Sequence, residues 1–345
     1  MKKRAIRFVS ALLCVIMLLS ALALPSFAAL SESAGLDALR TQWSRGKGPN
    51  VSGYDIDYSC FSPIANGAPE DQKYPLVVIT PGFGSSTYPG NELASNDYAM
   101  WSSAEYQTKF NNGGAFIMIA RSPEDVGVSW NSAAPIPALK AAIDDFCANN
   151  EQIDTERIYV MGWSYGAEAT VRLISGYNNF AAAAVIFSQG YPIDEVMAEA
   201  CRNKAVWLFG CKNDSIHAYN INVAVSWENL TAKSNNLDRV RLTSTATAPN
   251  VGLLFNHKTW AMAAYDMTTD GGCTEIKTVD GYGNPINDPS VIEWLNAQVL
   301  VPDDVDFCNC ICHKNGIMGF FYKLIRIFWK FFNIHKTCEC GVEHY

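Results

Sequence analysis

The chain has 345 residues, of which 49% are hydrophobic and 17% charged, so it is globular and long enough to bury a sizeable core. Its formal charge of −8 argues against nucleic acid as a substrate or partner. From Pro302 onward acids and bases balance, so the acidic excess belongs to the part before it.

The first element in chain order is a secretory signal. Lys2, Lys3, Arg4 and Arg7 form a basic start, and Phe8 to Leu24 an apolar run. Ser26-Phe27-Ala28 then places small residues at −3 and −1 before Ala29, which predicts a signal peptide over residues 1–28 and a secreted product. An uncleaved anchor is the rival, but the apolar run is near the short end for a spanning helix. Cys14 follows Leu13 inside that run, an unsuitable setting for lipidation. Five cysteines (Cys60, Cys147, Cys201, Cys211, Cys273) lie in a main domain spanning residues 29–300, and five more crowd into the tail. An odd number in each part implies a free thiol, a bridge between the parts or metal ligation.

The main domain alternates strand and helix signals. Gly53 to Phe61 alternates as an early edge strand would, and Tyr74 to Thr80 and Ala115 to Ala120 are short apolar runs suited to buried strands. Pro137 to Asn149 reads as an amphipathic helix before a β-branched run, Arg157 to Met161. Ala182 to Phe187 and Ala205 to Phe209 are further buried strands, Val240 to Leu242 is a weaker one, and Ser290 to Val299 is a closing helix. Repeated βα units predict a mostly parallel sheet with helices on both faces.

Within that pattern Gly162-Trp163-Ser164-Tyr165-Gly166 stands between a strand and an Ala-rich helix. Strand, G-x-S-x-G turn and helix together are the context of a nucleophile elbow, with Ser164 as nucleophile. The glycines let strand and helix approach closely. A serine hydroxyl needs a base, and the base needs a carboxylate to fix its tautomer. Three of the five histidines (His313, His335, His344) lie in the tail, leaving His217 and His257. His257 comes after the last expected strand and before the closing helix, where the base belongs in the order Ser, acid, His. His217 is three residues from the best acid and is expected to struggle to reach Ser164. That acid is Asp214, on the loop after the Ala205 strand; Asp238 and Asp266 are weaker candidates. The oxyanion hole is expected from the backbone N–H groups of Tyr165 and of Phe83, in the loop Pro81-Gly82-Phe83-Gly84-Ser85-Ser86. Trp130, Trp163 and Trp260 are candidate substrate-binding aromatics, with packing as the alternative for Trp163 and Trp260.

Residues 53–299 resemble the α/β-hydrolase superfamily, in its dienelactone-hydrolase, esterase and lipase-like group. Pro81-Gly82-Phe83, Met161 to Gly166 and Cys211-Lys212-Asn213-Asp214-Ser215-Ile216 are similar to bacterial cutinase-like polyester hydrolases. Gln107 to Glu124 with Trp130 is more like feruloyl-esterase and prolyl-oligopeptidase-like domains. The resemblance implies an α/β-hydrolase fold, no cofactor for catalysis, and the roles assigned above to Ser164, Asp214, Phe83 and Tyr165. It also implies a disulfide beside the acid. Cys211 matches that family's first cysteine, but Cys273 lies sixteen residues past His257, so a Cys211–Cys273 clamp and a free Cys211 both stand.

Residues 301–307 read as a linker to a Cys/His-rich module over 308–345. Cys308, Cys310, Cys312, His313, Cys338, Cys340 and His344 offer soft or borderline ligands in paired spacing, which suits structural zinc; two disulfides and a spare thiol are the rival. Between them, residues 317–334 are rich in aromatic and aliphatic side chains, with Lys323, Arg326 and Lys330 on one helical face. Such a helix lies on a membrane surface or cell envelope, or docks on another surface protein. The module resembles a recurrent C-terminal one on exported proteins of anaerobic Gram-positive bacteria. The expectation for the whole chain is an exported serine esterase acting on a small-molecule or polymer-borne ester and retained at the cell surface. A prolyl-oligopeptidase-like peptidase using the same triad, or a non-catalytic surface-binding module, are the alternatives.

Overall fold

In the computed structural model the described residues are 36–84, 91–94, 97–250, 253–267, 272–287 and 290–302, together with the backbone of 336–337 and 343–344. Ten strands form one sheet: β1 (Ser44–Lys47), β2 (Asp57–Phe61), β3 (Tyr74–Thr80), β4 (Phe116–Ala120), β5 (Ile153–Trp163), β6 (Ala183–Phe187), β7 (Ala205–Cys211), β8 (Val240–Thr245), β9 (Lys277–Asp280) and β10 (Pro285–Ile286). Their order is β1-β2-β4-β3-β5-β6-β7-β8-β9-β10. The six from β4 to β8 pair in parallel, and antiparallel strands extend the sheet at both ends. The α/β expectation of a mostly parallel sheet holds.

The pleat explains why the central strands are apolar throughout. Leu76 and Val78 of β3 and Ile158 and Val160 of β5 enter one core, while Val77, Ile79, Tyr159 and Met161 enter the other. A strand covered on both faces has no side left for water, so its hydrophobic residues run on without alternation. Helices α1 (Ile136–Ala148), α2 (Tyr165–Gly176), α3 (Glu195–Ala200) and α4 (Val223–Lys233) supply the first core. Helices α5 (Trp260–Ala264) and α6 (Val291–Asn296) supply the second, with Tyr98 and Trp101 from a preceding 3-10 turn.

Two expectations need correction. The early strand β2 is not an edge, because β1 pairs along its outer side from Ser44 to Lys47. His257 does not follow the last strand: β9 and β10 come later and add antiparallel beyond β8. In the tail, Lys336–Thr337 pairs antiparallel with Glu343–His344. The signal segment 1–28 and the linker beyond Pro302 lie outside the described residues. So do the remaining ligand candidates (Cys308, Cys310, Cys312, His313, Cys338 and Cys340), the side chain of His344 and the 317–334 segment. Among the described residues no helix is long and apolar enough to cross a membrane, and no group of His, Cys, Asp and Glu is arranged to hold a metal ion.

Candidate active site

The strand order reverses about β3, whose neighbours are β4 and β5, and ligands of open α/β sheets bind beyond the carboxyl ends at such a point. Ser164 stands there, between the end of β5 and the first turn of α2. Its backbone is at φ 53°, ψ −125°, a conformation that costs a non-glycine residue about 1–3 kcal/mol and persists only where the surroundings enforce it. The enforcement is visible. A Cβ on Gly166 would lie 1.8 Å from the Thr80 carbonyl oxygen, so β3 and the elbow touch through bare backbone. The Thr80 hydroxyl donates to the Gly166 carbonyl at 2.7 Å, and the Ser164 N–H donates to Phe187 O at 3.1 Å. The loop after β3 reaches the same place: a Cβ on Gly82 would sit 3.0 Å from that of Ser164. Phe83 and Tyr165 meet edge to face, ring centres 5.8 Å apart.

Asp214 follows β7 by three residues, and its Oδ2 is 2.8 Å from His257 Nδ1. Both side chains are almost fully buried. Burial pushes the Asp214 carboxyl up, but the hydrogen bond and charge of His257 and the N–H groups of Ile216 and His217 outweigh it. The net result is a pKa below the ordinary carboxylate value. Asp214 is therefore ionised at neutral pH and fixes the proton of His257 on Nδ1. His257 Nε2 is buried and has no hydrogen-bond partner among the described residues. The backbone of His257 is also fixed, since Ser188 Oγ donates to the His257 carbonyl at 2.8 Å and pairs with Thr259 Oγ1.

His217 departs from its sequence-based expectation. Its Nε2 lies 3.5 Å from Ser164 Oγ, and its ring centre is 5.1 Å from that of His257. The reason is local. Asp214 Oδ1 accepts the N–H groups of Ile216 at 2.8 Å and His217 at 3.1 Å, which curls the loop back over the elbow. An Asp followed three residues later by His was the signal available. Burial chiefly, and the nearby charge of His257, push the His217 imidazole down to about 4, against the pull of Asp214. Glu168, on α2, has no signal in the motif pattern. It is buried, its Oε1 accepts the N–H groups of Gly190 and Tyr191 at 2.9 Å each, and burial pushes its carboxyl up to about 7.

The three tryptophans expected against substrate are buried. Trp130 is fully enclosed in the first core, which it shares with Leu139 and Ala167, away from solvent. Trp163 stacks between Tyr98 and Trp260, at ring distances of 5.8 and 5.1 Å, and Trp260 meets His257 edge-on at 5.7 Å. Trp163 and Trp260 therefore pack behind the site, as their alternative reading had it. For Trp130 packing is a correction. The Cys211–Cys273 clamp is not formed. All five cysteines of the main domain are thiols, and the Cys211 thiol donates to Ala246 O at 3.2 Å.

No protein-family model matches the chain, and no curated protein matches it in sequence. Solved structures do match. A thermostable esterase aligns at TM-score 0.58 with 21% identity, over 76% of this chain and 64% of that one. The acylaminoacyl peptidase of Pyrococcus horikoshii aligns at 0.46 with 12% identity, over 63% of this chain and 39% of that one. The Pyrococcus furiosus esterase Pf2001 aligns at 0.44 with 15% identity, over 63% of this chain and 87% of that one. The chain thus spans less than two thirds of the length of the first two. Only the first is close enough in shape to bear on architecture. Taken with the strand order and the elbow at Ser164, it shows that the chain has the α/β-hydrolase fold.

Proposed function

We propose that this chain is an exported serine hydrolase that cleaves carboxylic esters through an acyl-enzyme intermediate. The observation that carries the reading is the Asp214–His257 hydrogen bond of 2.8 Å, with the opposite imidazole nitrogen buried and unpartnered among the described residues and the His257 ring 5.1 Å from that of His217, which reaches the strained Ser164. Ser164 Oγ attacks the acyl carbonyl carbon while His257 Nε2 takes its proton. The ionised Asp214 stabilises the imidazolium that forms. The N–H groups of Phe83 and Tyr165 receive the oxyanion. His257 then returns the proton to the leaving alcohol, and water resolves the acyl-enzyme by the same route in reverse.

Exposed apolar side chains on the surrounding loops support an apolar acyl or alcohol group. Phe83 is 68% exposed and Leu253 83% exposed, and Tyr191, Ile216 and Phe255 are also open to solvent. Phe83, Ile216, Leu253 and Phe255 stand on the loops that carry the proposed oxyanion donor, acid and base, and Tyr191 on the loop after β6. Exposed apolar surface gathered in this way marks a binding site.

The test is fluorophosphonate labelling of purified protein, with hydrolysis of p-nitrophenyl acyl esters, feruloyl esters and peptide amides measured alongside. We expect labelling at Ser164, ester turnover and silence of Ser164→Ala. Absence of labelling in folded wild type would overturn the reading, and faster cleavage of peptide amides than of esters would replace it with a peptidase. Export and surface retention through the Cys/His-rich module belong to the same proposal. Removing residues 302–345 should release active enzyme into the medium, and unchanged partitioning between cells and medium would count against it.

A further inference from the structure

Two imidazoles stand in the Ser164 cluster: His217 is at hydrogen-bond distance from the hydroxyl, and His257, which the acyl-transfer mechanism uses, lies behind it with ring centres 5.1 Å apart. His257 has its Nδ1 committed to Asp214 and its Nε2 lone pair unpartnered. His217 presents Nε2 to the nucleophile oxygen at 3.5 Å. Its ring is wedged in place. Asp214 Oδ1 pins its backbone N–H, and on the far side a Cβ at Gly190 would come within 2.8 Å of the ring carbon Cε1. Gly190 is in turn tied by its N–H to the buried Glu168 on the elbow's own helix. One carboxylate thus sets both imidazoles, orienting His257 with one oxygen and seating His217 with the other.

A hydroxyl has one proton to give and two lone pairs to receive. If both histidines accepted from Ser164, one would be left without a proton. The arrangement is complete when one donates and the other accepts. We infer that His217 is a second catalytic residue, donating Nε2–H to Ser164 Oγ so that the hydroxyl proton is turned toward His257 Nε2. This rests on the serine-esterase reading and deepens it. In the chemical step the Oγ–H bond breaks, its proton goes to His257 Nε2, and the Oγ electron pair forms the bond to the acyl carbon. His217 keeps its own proton throughout and gains hydrogen-bond strength as charge builds on Oγ. With its pKa lowered to about 4, it is neutral at pH 7 and carries a single ring N–H. A resting distance of 3.5 Å suits a contact that tightens only as the transition state forms.

The test uses the full chain. Fluorophosphonate labelling rates and kcat and KM on p-nitrophenyl acetate are measured for wild type, His217→Ala, His217→Phe, His217→Gln, His257→Ala and Ser164→Ala, with circular dichroism to confirm folding. His217→Phe keeps the ring volume, so the measurement stands even where the alanine variant unfolds. We expect Ser164→Ala and His257→Ala to be silent. His217→Ala and His217→Phe should label at Ser164 about 10–100-fold more slowly, with kcat falling by a similar factor and KM nearly unchanged. His217→Gln, which retains an N–H donor, should recover part of the loss. Wild-type rates in both His217→Ala and His217→Phe, with Ser164→Ala silent, overturn the role of His217 alone. Labelling that survives in His257→Ala but vanishes in His217→Ala overturns it in favour of His217 as base. Labelling that survives in Ser164→Ala overturns the esterase reading and this inference together.

Discussion

Asp214 gives each of its two oxygens a separate task, so a single substitution there strikes two imidazoles. Asp214→Asn removes the acceptor charge, frees the tautomer of His257 and weakens the Asx turn that seats His217. We expect kcat to fall by roughly 10³-fold or more while the protein stays folded, as read from initial rates on a p-nitrophenyl ester. Glu168 makes the opposite electrostatic statement. Its folded pKa of about 7 lies above the unfolded value, so between about pH 4.5 and pH 7 the folded state binds the extra proton. Stability from that group is complete below the unfolded pKa and is lost as pH rises through the folded one. Glu168→Gln keeps an acceptor for the Gly190 and Tyr191 N–H groups without a charge to bury. Its melting temperature should exceed that of wild type at pH 8, with the gap closing toward pH 5, and a constant gap across that range would refute the assignment.

At the scale of elements, the elbow and the loop after β6 are held by close backbone approaches that a single methyl group can test. Gly166→Ala would drive a Cβ to 1.8 Å from backbone at Thr80, where nothing yields, so we expect insoluble or unfolded protein in a solubility and circular dichroism assay. Gly190→Ala meets the far end of a side chain, the His217 ring, which can swing away. It should fold and show a reduced kcat that resembles His217→Ala. The difference between these two glycines also marks what was legible in sequence. The elbow was readable because the fully buried β3, β5 and β6 run apolar without a break and frame a short fixed motif. Chain order singled out Asp214 and His257, and the two are hydrogen-bonded to each other. The reach of His217 was not, because closeness to the acid along the chain argues against it, whereas an Asx turn at Asp214 folds those three residues back onto the elbow. β1 (Ser-Arg-Gly-Lys) at one edge and β9 (Lys-Thr-Val-Asp), next to the short β10 at the other end, carry little hydrophobic pattern because most of their residues lie outside the two cores. Trp130 is drawn to the site by resemblance, while in three dimensions it belongs to the first core.

Across the whole molecule the two ends of the sheet do different work. The carboxyl ends carry Ser164, Asp214 and the rest of the proposed site, and the amino ends are clasped by Arg239. Its guanidinium donates to the carbonyls of Ala182, Asn203 and Val299 and to the Gln298 side chain, at 2.8–3.0 Å. That ties the starts of β6 and β7 to the chain after α6. Burial lowers the pKa of this group to about 10, so it remains charged under ordinary conditions. Arg239→Ala leaves those acceptors without their donor and should cost about 2–4 kcal/mol in urea unfolding. Activity per folded molecule should stay unchanged, because the clasp lies at the far end of the strands from Ser164.

The aromatic stack behind the elbow has an optical consequence. Tyr98, Trp163 and Trp260 lie ring on ring, and the last of them stands edge-on to His257. Both indoles are buried, and a buried, stacked indole emits at shorter wavelength than a solvated one, so their fluorescence reports the packing behind His257. A folded variant that loses labelling and also shifts its emission to the red has lost that wall; one that loses labelling with unchanged emission has not. The support behind the elbow can thus be read in the free protein, without any substrate, by light.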